Sequence, residues 1–198
     1  MISAPSGAGK TTLVEALRQT PEFVYSVSCT TRAPRAGEID GEDYRFLSEA
    51  DFLARVQAGE FLEHAQVHGY RYGTLRQPVV TNLQKGVDIL IDIDTQGAAA
   101  IRNCGDSFIR RAIADVFIMP PNLDELRRRL TRRGTETPEQ IKTRLAQAAH
   151  EMELWRDYRY TIISQSIEED LQKFRHITGA ERYLSRRLIE SSSEMIPD

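Results

Sequence analysis

Apolar and polar positions alternate in blocks along the chain. A β-branched apolar run over 87–93, entered through Gly86, predicts a strand buried on both faces. Two more strands are predicted over 114–119, closed by Pro120 and Pro121, and over 160–163. Helical patterns follow Lys10, Pro121 and Pro138. The last of these carries its own start signal. Thr137 can cap it, Pro138 suits its first position, and Gln140 completes a capping box. Ile141, Leu145, Ala148, Met152 and Trp155 then recur at helical spacing. Strands alternating with helices predict an α/β fold with a largely parallel sheet. From 23 to 72 the pattern changes. Short alternating runs are separated by Pro34, Gly37, Gly41 and Gly69, with one helical stretch at 48–57. This predicts a small, mainly β insertion in the α/β core. The mixed charges over 168–187 predict a solvated terminal helix, with Gly179 as a candidate interruption. Residues 191–198 read as a polar, frayed tail.

Composition narrows the class of protein. A chain of 198 residues, 40% hydrophobic and 28% charged, can bury a real core as one domain with small insertions. The net charge of −3 provides no basic field for nucleic acid. No run approaches the roughly 18 apolar residues of a membrane span, and the first residues do not read as a signal peptide. Cys29 and Cys104 form no CxxC pair and no disulfide framework, so a reducing, cytoplasmic setting is expected. His64 and His68 have no metal-ligand partner at useful spacing and are read as structural. No surface argues for an oligomer.

The first chemical signal is the run from Ala4 to Thr11. A phosphate loop follows the pattern GxxxxGK and then Ser or Thr; Gly9, Lys10 and Thr11 fit, while Ala4 replaces the first glycine. Gly7 and Gly9 permit a tight loop with inward N–H groups, and the helix from Lys10 turns its positive end to the phosphates. Lys10 can reach the β- and γ-phosphates, and Thr11 can hold Mg²⁺. A buried strand of about five residues usually precedes such a loop. Only Met1 and Ile2 precede Ser3, so either a natural start upstream is expected or a two-residue strand suffices.

Asp92 and Asp94 are the second signal. They close the apolar strand at the end where open α/β sheets bind ligands, and such an acid can hold Mg²⁺. Arginines are the third. Arg32 and Arg35 flank Ala33-Pro34 and suit the oxygens of a phosphate dianion. Arg127, Arg128, Arg129 and Arg132 share a helix with Leu123, Leu126 and Leu130 and read as a solvated face. Arg133 and Arg144 flank the 134–137 stretch, a candidate closing loop that brings cations to a transferring phosphoryl group.

With these residues in hand, the chain resembles the guanylate kinase family. The likeness runs through residues 3–12 (SAPSGAGKTT), 26–46 (SVSCTTRAPRAGEIDGEDYRF) and 60–65 (EFLEHA). It continues through 72–74 (YGT), 92–97 (DIDTQG) and 133–137 (RGTET), in family order. The resemblance implies a P-loop nucleoside triphosphate hydrolase-like three-layer fold with a central parallel sheet. The core is expected over 1–27, 75–121 and 145–190, a GMP-binding insertion over 28–74 and a helical lid over 122–144.

It implies transfer of the γ-phosphoryl group of ATP to GMP, giving ADP and GDP, in purine nucleotide metabolism. Small-molecule substrates, and neither nucleic acid nor membrane, are the expected partners. ATP would be bound by Ser6, Gly7, Ala8, Gly9, Lys10, Thr11 and Thr12, with Mg²⁺ on Thr11 and Asp94. Arg32, Arg35, Tyr44 and Tyr72 would hold the GMP phosphate. Ser28, Glu63 and Thr74 would read guanine, with Asp92 near its amino edge. Lys10, Arg35, Arg133 and Arg144 would serve catalysis. Ser164-Gln165-Ser166 stands where the family usually has Asn-Asp-Asp, so the contact to adenine is expected to differ. Two other readings are a catalytically dead interaction module and a kinase for another phosphorylated acceptor. Intact Lys10, Thr11, Asp94 and lid arginines favour an enzyme over the module.

Overall fold

The computed structural model describes residues 1–67, 69–133 and 137–188, with the side chains of Arg133, Arg186 and Leu188 left aside. The expected tail over 191–198 and His68 lie outside the described residues. In chain order the elements are β1 (Ile2–Ser3), α1 (Lys10–Arg18), β2 (Val24–Tyr25), β3 (Cys29–Thr30), β4 (Arg45–Phe46) and α2 (Glu49–Gln57). Then come β5 (Phe61–Val67), β6 (Tyr70–Leu75), α3 (Arg76–Gln84), β7 (Ile89–Leu90), α4 (Thr95–Arg102) and α5 (Ser107–Ala112). The last are β8 (Val116–Met119), α6 (Leu123–Arg133), α7 (Pro138–Met152), β9 (Tyr160–Ile163), α8 (Ile167–Arg182) and α9 (Ser185–Leu188).

Two compact units divide the chain. One holds Ile2–Gln19 and the chain from Arg111 onward. Its sheet is parallel, in the order β1-β8-β9. Both residues of β1 pair with β8, Ile2 with Val116 and Ser3 with Phe117, and all four are buried. The strand expected over 160–163 is β9, paired along its full length with β8. The capping box at Thr137 and Gln140 is formed, and Pro138 opens α7. Ile141, Leu145 and Ala148 of α7 pack against Leu126 and Leu130 of α6, as their spacing predicts. Helix α8 starts at Ser166, whose hydroxyl accepts from the Glu169 N–H, and runs through Gly179 without interruption. The C-terminal turn is clamped by buried Glu181, which accepts from Arg159, Tyr160 and Arg187. Burial pushes the Glu181 carboxyl up, but those three donors outweigh it and hold it below the usual range.

The other unit holds Thr20–Arg110. Its four-stranded sheet, in the order β4-β3-β6-β5, comes from the segment read as mainly β. The helix expected at 48–57 is α2, capped by the Ser48 hydroxyl on the Asp51 N–H. A second sheet pairs β2 with β7 in parallel. Here the expected strand over 87–93 is corrected. Regular pairing covers only Ile89 and Leu90, extended by the Asp88 carbonyl accepting from Val24 N–H. The apolar run is still buried, with Leu90, Ile91 and Ile93 in the core. Its neighbour is short, and a run without a partner strand has no ladder to continue. Helices α3, α4 and α5 were not foreseen. In α3 Pro78 and adjacent Val79, Val80 and Thr81 blur the helical pattern; in α4 Gly97 does so.

Candidate active site

The phosphate loop is built by local backbone chemistry. Gly7 and Gly9 have φ of +88° and +108°, where side chains are strained. Gly7 is also required for space, because a methyl there would lie 2.8 Å from Leu130 Cδ2 and 3.0 Å from Leu126 Cδ1. The Ala8 N–H donates to the Pro5 carbonyl at 3.1 Å, and the Leu13 N–H donates to the Gly9 carbonyl at 3.2 Å. Lys10 follows immediately as the first residue of α1, and Thr11 and Thr12 stand exposed on its first turn.

Residues far along the chain meet this loop. A nitrogen of Arg144 lies 3.3 Å from the Ser6 hydroxyl, and the Ser6 N–H donates to Glu151 Oε2 at 3.3 Å. Arg129 donates to the Ala8 carbonyl at 2.9 Å, to Ser164 Oγ at 3.1 Å and to the Ser164 carbonyl at 3.3 Å. Glu125 holds it from behind at 2.9 Å. Arg129 therefore corrects its assignment to a solvated face. Leu126 and Leu130 are fully buried, and their packing turns Arg129 toward the loop while Arg127 and Arg128 stay exposed. The stretch 134–136 and the Arg133 side chain, both expected in a lid, lie outside the described residues. Beside the loop is a cavity of ≈ 420 Å³, whose lining includes Gly7, Gly9, Thr12, Ser164 and Asp170.

A second cluster sits in the other unit. Glu63 on β5 is paired in register with Thr74 on β6. Glu63 is 8% exposed and Thr74 is buried. The Thr74 hydroxyl donates to Glu63 Oε1 at 2.6 Å. Burial pushes the Glu63 carboxyl up to about 7; the Thr74 hydrogen bond opposes this, and the Asp94 charge adds to it. Gly97 of α4 backs the same group. A methyl at Gly97 would lie 2.7 Å from Glu63 Oε2 and 2.7 Å from Ile93 Cγ1. Asp94 caps α4, accepting from the Gly97 N–H at 2.7 Å. Ser28 is buried at the foot of β3, its carbonyl accepting from the Arg45 N–H at 2.9 Å.

Arg32, Tyr44 and Tyr72 are brought together. The Tyr44 and Tyr72 rings meet edge to face with centroids 6.1 Å apart. The Arg32 guanidinium lies 5.4 Å from the Tyr44 ring centre. Burial raises the Tyr44 hydroxyl above its ordinary range, and the Asp92 charge adds to that. Arg32 is buried and already paired, its Nη2 2.7 Å from Glu38 Oε1. Glu38 Oε2 also accepts from the Arg35 N–H at 2.7 Å, while the Arg35 side chain is exposed. One carboxylate thus ties both arginine positions together. The spacing Arg32, Arg35, Glu38 is the signal that could have found it.

Mg²⁺ is compatible with these residues. Among the described residues no group of three His, Cys, Asp or Glu could hold a metal. Mg²⁺ bound with a nucleotide needs only one or two protein oxygens, with phosphates and water supplying the rest. Thr11 offers an exposed hydroxyl. Asp94, which caps α4 through the Gly97 N–H, offers the carboxylate oxygen type that Mg²⁺ takes. No helix among the described residues is long and apolar enough to cross a membrane.

Comparison with known proteins identifies the family. The guanylate kinase family model matches residues 1–181. The guanylate kinase of Cereibacter sphaeroides is 43% identical over 183 residues, 92% of this chain and 85% of the relative. That of Alkalilimnicola ehrlichii is 43% identical over 199 residues, 100% of this chain and 96% of the relative. The crystal structure of guanylate kinase from Anaplasma phagocytophilum superposes with a TM-score of 0.77 at 35% identity, covering 100% of this chain and 94% of that one. A family-model match over residues 1–181, with relatives 43% identical over nearly the whole chain, means that the chain belongs to the guanylate kinase family, the enzymes that move the γ-phosphoryl group of ATP onto GMP.

Proposed function

We infer that this chain phosphorylates GMP from ATP through the two residue clusters described above. The observation that carries the acceptor assignment is the buried Glu63–Thr74 pair. Guanine presents N1–H and a 2-amino group on one edge, and an ionised Glu63 accepts from both. Adenine has a lone pair at N1 and no 2-amino group, so it would face the carboxylate with repulsion. A site built for such bonds discriminates strongly against a base that cannot make them. Ser28 and Thr74 complete this edge, with Asp92 beside it.

Arg32, Arg35, Tyr44 and Tyr72 hold the acceptor phosphate. On donor arrival the phosphate loop from Ser6 to Thr12 wraps the β- and γ-phosphates with its N–H groups. Lys10, Arg35, Arg133 and Arg144 offset the charge of the moving phosphoryl group. When bound, Mg²⁺ would be held by Thr11 and Asp94 and would neutralise phosphate charge. Transfer is direct and in line, since the acceptor phosphate is already a nucleophile and no covalent intermediate is needed. The division into a core, an acceptor insertion over 28–74 and a lid over 122–144 follows these roles. We place the reaction in the cytoplasm, in keeping with Cys29 and Cys104 as free thiols.

The test is ADP formation by the purified protein with MgATP and each of GMP, AMP, UMP and CMP. Turnover with GMP alone is expected. Turnover with another acceptor, or with none in a folded protein, would reject this reading.

A further inference from the structure

The cavity beside the phosphate loop contains a buried acid with no part in the scheme so far. Its volume of ≈ 420 Å³ falls in the range of small-molecule sites, about 300–1,000 Å³. Gly7, Gly9 and Thr12 form one part of the wall; Ser164, Gln165 and Asp170 form another. A nucleoside triphosphate whose phosphates rest in the loop carries its base into the space beside it.

Asp170 is 5% exposed. It lies in the first turn of α8, and its Oδ1 reaches back to accept the Gln165 N–H at 3.1 Å. Lys173 Nζ stands 3.9 Å away and is bonded to the Ile163 carbonyl and to Gln165 Oε1. A carboxylate offers about four acceptor positions. One N–H bond and one long ion pair leave acceptor capacity in the cavity wall. Ser164 is differently committed, because its Oγ accepts from Arg129 and its N–H donates to the Met119 carbonyl at 2.8 Å. Purines differ most usefully at C6. Adenine carries an amino donor there, whereas guanine and hypoxanthine carry an oxo acceptor.

We propose that Asp170 is a specificity-determining residue for the phosphoryl donor, accepting the 6-amino group of adenine and repelling 6-oxo purines. This rests on the reading of the loop and its cavity as the ATP site. A carboxylate can satisfy the amino group but has no donor for an oxo group, so selectivity follows from what Asp170 lacks as well as from what it offers.

The test measures kcat/KM for ATP, GTP, ITP and purine riboside triphosphate at saturating GMP, in the native chain, Asp170→Asn and Asp170→Ala. Asp170→Asn keeps an oxygen for the Gln165 N–H and adds an amide that can donate to a 6-oxo group. The native chain is expected to favour ATP over ITP at least tenfold. Asp170→Asn is expected to narrow that ratio at least tenfold, through the KM of the donor, with the KM for GMP unmoved. An unchanged donor ratio in both variants, with ATP still phosphorylating GMP, overturns the proposal and leaves the proposed function standing. A native chain indifferent among the donors overturns it too. Failure of every donor to phosphorylate GMP overturns both. A drop in the melting temperature of Asp170→Ala with no change in ratio assigns Asp170 to the fold alone and also overturns it.

Discussion

Gly97 stands so close to Glu63 that a single added methyl would sit 2.7 Å from the Glu63 Oε2 oxygen. Replacing glycine by alanine inside a helix usually stabilises by about 1 kcal/mol. At this position the opposite is expected, because Ile93 blocks the methyl as well and both neighbours are buried. Gly97→Ala should cost about 1–3 kcal/mol, as overpacking does. It should also raise the KM for GMP at least tenfold by displacing Glu63, the proposed base reader. Urea unfolding with steady-state kinetics checks both; a stabilised variant with native KM would refute the relationship.

The Glu63 carboxyl, pushed up to about 7 by burial, makes the ligand-free protein sensitive to pH near neutrality. Between its ordinary value of 4.5 and about 7 the folded state binds more protons than the unfolded one. Stability therefore falls as pH rises through that window. Glu63→Gln retains an acceptor for Thr74 and is expected to unfold later than the native chain at pH 8, by about 2–3 kcal/mol. In the proposed recognition of guanine only the ionised form accepts both donors, so the KM for GMP should rise as pH falls below 7, approaching tenfold per unit. In Glu63→Gln that pH dependence should vanish along with the preference for GMP. Native and variant KM profiles from pH 5.5 to 8.5 measure it.

Arg32 is held by Glu38, which also caps the Arg35 N–H. That bond is the largest of the contacts that raise the Arg32 guanidinium above its already high range. Removing the carboxylate leaves a buried arginine to find another partner. Glu38→Ala should raise the KM for GMP by about tenfold, the scale of one charged hydrogen bond. The KM for ATP should stay within twofold. A change confined to ATP would show that Glu38 does not serve the acceptor phosphate.

Arg129 joins α6 to the phosphate loop and to the end of β9 through Ala8 and Ser164. Lysine cannot reproduce a fork that reaches several acceptors. Arg129→Lys and Arg129→Ala should therefore both raise the KM for ATP by about tenfold, while the KM for GMP is retained. Titration of ADP into each variant provides the same reading without turnover.

Lys10 heads α1 immediately after the loop. Phosphoryl transfer depends chiefly on positioning and charge. Lys10→Ala should thus lower kcat by about 10²–10³ or more, on the scale of losing a preorganised donor. GMP binding, measured by equilibrium titration, should change far less. Near-native turnover would remove Lys10 from the catalytic set.

Local chemistry made several elements legible. The capping box at Thr137 and Gln140 uses groups three residues apart, so its partners are adjacent in the chain before any tertiary contact forms. The glycines at 7 and 9 announce a loop because their backbone angles are unsuited to other residues. The strand over 87–93 was overextended, since an apolar run reports burial but not whether a neighbour offers hydrogen bonds. Helix α4 went unseen because it is short and carries Gly97, a residue that disfavours helix interiors, at the place where it packs beneath Glu63.

Sequence alone determined the class of this protein: a phosphate-loop pattern, a mainly β segment after it, and alternating strands and helices with a capping box at Thr137. Those signals are short-range, or are residue identities in a fixed order. Tertiary structure decided which of several equivalent side chains does the work. Arg129 differs from Arg127 and Arg128 only because buried Leu126 and Leu130 fix the rotation of α6. Glu63 differs from an ordinary surface glutamate only because strand pairing and Gly97 remove it from water, and exclusion of water is what raises its pKa.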